Sequence, residues 1–141
     1  MIISRLPYAE SFLYVHSIID ISEDSVTAKF SFKSINDFYK WHFKHLPVTP
    51  GIFITEMMGQ AGPISHLIFL EKIYESEKLF HPVVTNITAN FFKEIQPDSE
   101  LTIKSKKLYY RKNIIRSEVS VFNLNDELCA KSELQVKLIF D

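Results

Sequence analysis

The sequence of 141 residues has one cysteine and three glycines, and this scarcity limits what the chain can be. Cys129 has no partner for an intramolecular disulfide, and no neighbouring base in the sequence would activate its thiol. We therefore expect Cys129 to be a small buried residue in a strand. Gly51, Gly59 and Gly62 all lie in one short stretch. Such clustering indicates a segment whose backbone comes close to another group.

The chain also lacks a charge imbalance. Its net charge is −1, so there is no global attraction to nucleic acid or to an anionic membrane, and no nucleic-acid recognition motif is present. The N-terminal residues MIISRLPYAE carry no signal-peptide pattern, so a cytoplasmic location is the default expectation. The length fits a single domain over residues 1–141.

The most apolar stretch, Ile52–Leu70, resembles a membrane span but contains Glu56, and a carboxylate inside a bilayer is costly. Apolar residues surround most of the helical cylinder in this region, which is typical of a helix enclosed within a soluble fold. Thr49 suits an N-cap and Pro50 a first helical position, and the pattern continues to about Glu75. Pro63 predicts a kink or local break, because proline cannot donate to the helical ladder.

On both sides of this helix the apolar residues alternate as they do in β-strands. Predicted strands are Phe12–Ile21, Ser25–Phe32, Pro82–Phe92, Glu100–Arg111, Asn113–Asn123 and Glu127–Ile139. Turns are predicted at Ser22–Asp24, Gln96–Asp98, Lys112–Asn113 and Asn125–Asp126, and Asn36–Trp41 is expected to be a loop or a helical turn. This order predicts an α+β fold in which one antiparallel sheet wraps a long helix. The exposed edges of such a sheet favour dimerisation.

The segment Trp41–Gln60 carries the candidate chemistry. Glu56 lies among apolar neighbours, so its carboxyl group must be paired, neutral or at a cavity, and Gln60 one turn later can hydrogen-bond it. His42 precedes the helix, and Gly51 at the helix start leaves backbone N–H groups free to polarise a carbonyl. One short segment can therefore supply a base, an acid and an oxyanion-type donor, while each residue taken singly also fits a structural role.

The spacing H-F-x-x-x-P-x-x-P-G-(x)4-E-x-x-x-Q, which runs here from His42 to Gln60, resembles the β-hydroxyacyl-acyl-carrier-protein dehydratases of the FabA/FabZ type. Leu6–Pro7, Phe12–Leu13 and the segment from Phe91 to Asp98 are similar to other parts of that family, so the resemblance covers nearly the whole chain. It implies the hot-dog fold, an active site shared between two subunits, and no metal or other cofactor.

By this resemblance, His42 would remove the α-proton of a 3-hydroxyacyl thioester held on acyl carrier protein. Glu56 of the partner subunit would protonate the departing hydroxyl, and the N–H of Gly51 would bind the thioester carbonyl. The product would be a trans-2-enoyl thioester. Glutamate rather than aspartate at position 56 is similar to the FabZ type, which implies dehydration without isomerisation. The residues expected to bind the substrate are Trp41, Phe43, Phe53 and Gln60.

A local group of basic residues would attract an acidic carrier protein, whereas the alternative interpretation is a solvated face. The predicted carrier-binding residues are Arg111, Lys112 and Arg116. The resemblance implies a homodimer or a higher homo-oligomer, and it leaves open a heterodimer with a related hot-dog subunit.

This sequence departs from the family at the histidine. Trp41 stands where the family usually has glycine, and Phe43–Lys44–His45 replaces its Phe-Pro-Gly. These departures indicate a divergent member, suited to a specialised pathway such as polyene or pigment synthesis. Three alternatives stay open: an acyl-thioester hydrolase of the same fold, an auxiliary subunit without activity, and an acyl-binding module.

Overall fold

The computed structural model describes all 141 residues, which form a six-stranded antiparallel sheet around a central helix. The strands are β1 (Ser17–Ile21), β2 (Ser25–Phe30), β3 (Phe80–Phe91), β4 (Leu101–Arg111), β5 (Ile114–Phe122) and β6 (Leu128–Phe140). They pair in the order β1-β2-β4-β5-β6-β3. This architecture confirms the predicted α+β fold, in which one sheet wraps a helix.

The central helix has three parts. It consists of α2 (Gly51–Gly59), a π-helical turn (Gln60–Ile64) and α3 (Ser65–Leu70), whereas the short helix α1 (Phe38–Trp41) precedes it. Pro63 has no N–H and its ring crowds the carbonyl one turn earlier, so the helix widens there into the π form. The Ser65 hydroxyl donates to the carbonyl of Gln60 at 2.6 Å. The predicted local break at Pro63 is thus confirmed.

Both predicted helix ends need correction. Thr49 does not cap the helix, because its hydroxyl is paired with the Tyr39 hydroxyl at 2.6 Å and Pro50 occupies the N-cap position. The α-helix ends at Leu70 rather than near Glu75, since Lys72 adopts a left-handed conformation with φ of 55°. A 3-10 turn, Ile73–Glu75, follows. None of the helices is both long enough and apolar enough to span a membrane.

The first strand is shorter than predicted. It begins at Ser17, and Phe12 belongs instead to a 3-10 turn, Glu10–Phe12. The carbonyl of Phe12 and the N–H of Tyr14 are hydrogen-bonded to the side chain of Gln60. This stretch of backbone therefore bonds to the central helix and is not available to the strand ladder.

The predicted turns between the later strands are confirmed by their backbone angles. Asp98, Lys112, Asn113 and Asp126 all have positive φ. Aspartate and asparagine tolerate this left-handed region better than most residues, which is why they are frequent in tight turns.

The core lies between the central helix and the inner face of the sheet. At Gly62 an added Cβ would lie 2.9 Å from the Ser105 hydroxyl oxygen and 3.1 Å from a methyl carbon of Val119, so only glycine lets the π turn approach β4 and β5 this closely. Cys129 on β6 is buried as predicted, and burial raises the pKa of its thiol.

The sheet has two open edges, β1 and β3. On β3, whose only strand partner is β6, the apolar side chains of Val83, Val84, Ile87 and Phe91 are exposed. An exposed edge strand that carries apolar side chains offers both unpaired backbone groups and hydrophobic surface to another chain.

Candidate active site

His42 follows directly on α1, and its backbone leaves the helical conformation with ψ of −101°. Its Nδ1 lies 3.0 Å from the carbonyl oxygen of Val48. Because a carbonyl can only accept, Nδ1 carries the hydrogen and donates it, and Nε2 is left unprotonated in the neutral ring. Nε2 has no hydrogen-bond partner within the chain, so it is free to accept a proton from a bound molecule.

Gly51 lines the same cavity as His42. This cavity has a volume of about 320 Å³, and its other lining residues include Thr49, Phe91 and Phe92. An added Cβ at Gly51 would lie 3.2 Å from the ring of Phe91, so this glycine also permits close packing. The structure thus brings the predicted base and the predicted oxyanion donor together.

The start of α2 offers free hydrogen-bond donors. No side chain caps this helix, and the first backbone N–H bonded into it is that of Phe53, which donates to Pro50. The N–H groups of Gly51 and Ile52 have no acceptor within the chain. Unpaired N–H groups at a helix N-terminus, aided by the helix dipole, favour an oxygen atom that carries negative charge.

Glu56 lies on a different side of α2 and lines a second cavity, also of about 320 Å³. It lies five positions after Gly51, which corresponds to a rotation of roughly 140° around the helix. Gln60 Nε2 donates to Glu56 Oε1 at 3.0 Å. Within one chain, therefore, His42 and Glu56 do not share a cavity.

The side chain of Gln60 makes three hydrogen bonds beside this second cavity. Its side chain is completely buried; its Oε1 accepts from the N–H of Tyr14 at 2.8 Å, and its Nε2 also donates to the carbonyl of Phe12 at 2.9 Å. Since every polar atom of the amide is bonded, Gln60 holds both Glu56 and the N-terminal segment in place.

The aromatic residues predicted to bind substrate occupy different surroundings. Trp41 is 74% exposed, and Phe43 is exposed with its ring centre 4.0 Å from that of His42. Phe53 stacks on Phe38 with ring centres 4.4 Å apart and lines neither cavity. Trp41 and Phe43 therefore lie beside the candidate base, while Phe53 packs away from it.

The predicted carrier-binding residues lie at the far end of the molecule from the helix start. Arg111 and Lys112 are exposed at the β4–β5 turn, which is tied to the end of α3 because the Tyr110 hydroxyl donates to Glu71. Burial, and after it this contact with Glu71, raise the pKa of Tyr110 to about 12. Arg116 on β5 pairs with Glu133 at 3.5 Å, so Arg111 and Lys112 are the two cations of the set without an ion pair.

Two residues that contribute to the site, Val48 and Tyr8, were not predicted from the sequence. The carbonyl of Val48 fixes the tautomer of His42, and no sequence signal marks it because any residue supplies a carbonyl. Tyr8 lines the Glu56 cavity, and its position between Leu6–Pro7 and Phe12–Leu13 could have drawn attention to it. No group of three His, Cys, Asp or Glu side chains is placed to hold a metal ion.

The sheet wrapped around one helix is the hot-dog fold. Among solved structures, the dehydratase heterocomplex ApeI:P from Xenorhabdus doucetiae matches with a TM-score of 0.77 at 15% identity, over 94% of this chain and 86% of that chain. At this identity the likeness shows the fold alone.

The sequence comparisons define the family. The model of the FabA-like domain matches residues 6–132, and the chain belongs to this family. A 3-hydroxyacyl-[acyl-carrier-protein] dehydratase FabZ from Lactococcus lactis is 29% identical over 137 residues, covering 97% of this chain and 92% of that protein. The FabZ from Thermotoga petrophila is 32% identical over 133 residues, covering 93% of this chain and 90% of that protein.

Proposed function

We propose that this chain dehydrates a 3-hydroxyacyl thioester on acyl carrier protein to the trans-2-enoyl thioester. The observation that carries the proposal is the cavity that His42 and Gly51 line together, since His42 Nε2 has no partner within the chain and the N–H of Gly51 is free. The relatives named as dehydratases of such substrates support the same reaction.

In this reaction His42 Nε2 takes the α-proton of the substrate while the thioester carbonyl accepts a hydrogen bond from Gly51 N–H. Developing negative charge on that oxygen is stabilised by the free donors and by the helix dipole. The electron pair of the broken C–H bond forms the new double bond as the C–O bond breaks. The hydroxyl leaves with a proton from a general acid, so the second product is water.

We propose that Glu56 of the partner subunit is this acid. Within one chain Glu56 lines another cavity, so a second subunit is required to bring the carboxyl group of Glu56 to His42. The exposed apolar residues of edge strand β3 support a homodimer formed along this edge. Phe91 belongs both to this edge and to the His42 cavity, so a subunit paired there would lie next to the site.

We also propose that Arg111 and Lys112 attract the carrier protein to the molecule without docking it at the His42 cavity, because they lie near the other end of the central helix. Both side chains are exposed cations without an ion-pair partner, whereas Arg116 is held by Glu133 and contributes less. Exposed charges of this kind mainly speed the encounter of two proteins, and their effect weakens as salt is raised.

The test is to incubate the purified protein with 3-hydroxyacyl carrier proteins of several chain lengths and to follow the loss of one water by mass spectrometry. His42→Ala and Glu56→Gln should each lower turnover by about 10² to 10⁴, the usual contribution of a general acid or base. His45→Ala is the matched control, because this neighbouring histidine is exposed and lines neither cavity.

Two outcomes would contradict the proposal. If free carrier thiol is released, the protein is an acyl-thioester hydrolase. If no substrate of any chain length is changed by the protein, it is an auxiliary subunit or an acyl-binding module, and dehydration by this chain alone is excluded.

A further inference from the structure

The N-terminal segment formed by residues 6–14 lies against the side of the central helix that carries Glu56. Two hydrogen bonds fasten it there: Tyr14 N–H donates to Gln60 Oε1 at 2.8 Å, and Gln60 Nε2 donates to the carbonyl of Phe12 at 2.9 Å. Both bonds are made by the residue that also holds Glu56. The position of this segment is thereby coupled to the position of the Glu56 carboxyl group.

Tyr8 is the residue of this segment that faces Glu56. It lines the Glu56 cavity, is half-buried, and packs its ring against Phe12 with ring centres 6.0 Å apart. Burial, and after it the nearby charge of Glu56, raise the pKa of the Tyr8 phenol. The hydroxyl therefore stays protonated, and able to donate, over the whole pH range in which such a protein works.

Few other groups can hold the carboxyl of Glu56. The Thr55 hydroxyl already donates to the carbonyl of Ile52. The remaining side chains that line the cavity offer no polar atom: Phe12, Gly59, Ile64, Pro82, Val84, Ile87 and Leu134. Burial and the charge of Glu56 also raise the pKa of Tyr14, but Tyr14 does not line this cavity. Gln60 and Tyr8 are thus the two side chains that can fix this carboxyl group.

We propose that Tyr8 is a positioning residue for the acid of the dehydration: its hydroxyl donates to the Glu56 carboxyl group and, with Gln60, holds it towards the open part of the cavity. This inference rests on the proposed dehydratase function. In an apolar cavity a carboxyl group held by one bond can rotate, and small misplacements of a catalytic group are costly. Tyr8 acts on the reaction through Glu56 and need not touch the substrate.

The proposal predicts a specific kinetic signature for Tyr8→Phe, which removes the hydroxyl and keeps the ring. We expect kcat to fall about tenfold to hundredfold with KM little changed, because the lost bond affects the acid and not substrate binding. The ionised carboxylate loses a donor, so the alkaline limb of the pH–rate profile should move to higher pH. On the elements packed around Glu56 in this chain, Tyr8 and Tyr14 are the only titratable groups that face it.

The experiment measures kcat, KM and the pH–rate profile of the wild type, Tyr8→Phe and the control Tyr74→Phe. Tyr74 lines a separate apolar cavity at the other end of the central helix, so its loss of a hydroxyl should leave all three quantities unchanged. The infrared band of the Glu56 carboxylate, isolated by subtracting the spectrum of Glu56→Gln, should shift in Tyr8→Phe and stay in place in Tyr74→Phe.

The outcomes separate this inference from the proposed function. If the wild type dehydrates its substrate and Tyr8→Phe keeps its kcat and pH profile, Tyr8 has no positioning role and the dehydratase function stands. If kcat falls but the Glu56 band does not shift, Tyr8 does not act through Glu56 and the inference is overturned. An inactive wild type overturns the dehydratase function, and the inference with it.

Discussion

Two buried polar side chains on the central helix, Gln60 and His66, differ in whether all of their polar atoms have hydrogen-bond partners. Every polar atom of the Gln60 side chain has a hydrogen-bond partner. His66 is equally buried, and its Nε2 lies 2.8 Å from the carbonyl of Ser22, but its Nδ1 has no partner. Nε2 must donate to that carbonyl, so Nδ1 carries an unpaired lone pair, and protonating it would place an unpaired charge in the core. Burial accordingly lowers the pKa of His66, and the nearby charge of Lys107 lowers it further.

The pKa of His66 makes the stability of the protein sensitive to acid. Because the folded pKa is lowered, the unfolded chain takes up the proton first, and the free energy of unfolding should fall as the pH drops through about 6.5. The pKa of His66 is lowered even though three neighbouring groups act to raise it, namely the carbonyls of Ser22 and Glu23 and the charge of Asp24. The measurement is urea unfolding of the wild type and of His66→Gln, whose amide can still donate to Ser22, between about pH 7.5 and pH 5.5.

The comparison uses the slope of stability against pH, so a constant cost of the His66→Gln substitution does not affect it. The wild type should lose more stability than the variant over this range. Equal slopes for the two proteins would show that His66 is not the acid-sensitive group.

At the scale of the element, the central helix owes its shape to a few residues. Pro63 widens it into the π turn, and Gly62 lets that turn lie against β4 and β5. Gly59 lies one turn earlier with ordinary helical angles, and an added Cβ there would meet only a methyl carbon of Ile64 at 3.9 Å. The two neighbouring glycines therefore serve different purposes.

Alanine at these two positions should have opposite effects. Gly62→Ala should destabilise the fold by about 1–3 kcal/mol, because Ser105 and Val119 on the sheet leave no room for a methyl group. Gly59→Ala should stabilise it by about 0.5–1 kcal/mol, since alanine loses less backbone entropy in a helix. Urea midpoints at one fixed protein concentration would measure both. Similar effects of the two substitutions would contradict the close approach at Gly62.

At the scale of the whole molecule, a dimer formed through β3 would explain two features. These are the open β3 edge and the separation of His42 from Glu56 within one chain. Pairing of two β3 strands would remove the exposed edge and cover its apolar side chains. It would also let each subunit complete the other's site, as we propose. A shared site makes the activity depend on the composition of the dimer.

Mixing inactive subunits tests this arrangement. His42→Ala and Glu56→Gln should each be inactive alone, but a mixed dimer has one site with both intact residues. After the two variants are unfolded and refolded together in equal amounts, random pairing in a twofold dimer should restore roughly a quarter of wild-type activity. His42→Ala refolded with the double variant His42→Ala/Glu56→Gln is the control and should stay inactive. No recovery in the first mixture would mean that each site lies within one subunit.

The sequence by itself determined the features that depend on residues close together in the chain. The spacing from His42 to Gln60, the break at Pro63 and the turns at Asp98, Asn113 and Asp126 follow from local rules of helices and turns. Periodicity likewise predicted the strands and the enclosed helix, because a buried face repeats with the period of its element. Only the ends of these elements were misplaced.

The tertiary structure alone decided which distant groups meet. It pairs Thr49 with Tyr39 instead of the helix end, brings Tyr8 to Glu56, and directs the backbone at Phe12 towards Gln60. It also divides the motif that runs from His42 to Gln60 between two cavities, because positions 51 and 56 point to different sides of one helix. Contacts of this kind depend on how the folded elements pack, and neither local spacing nor hydrophobic pattern records that packing.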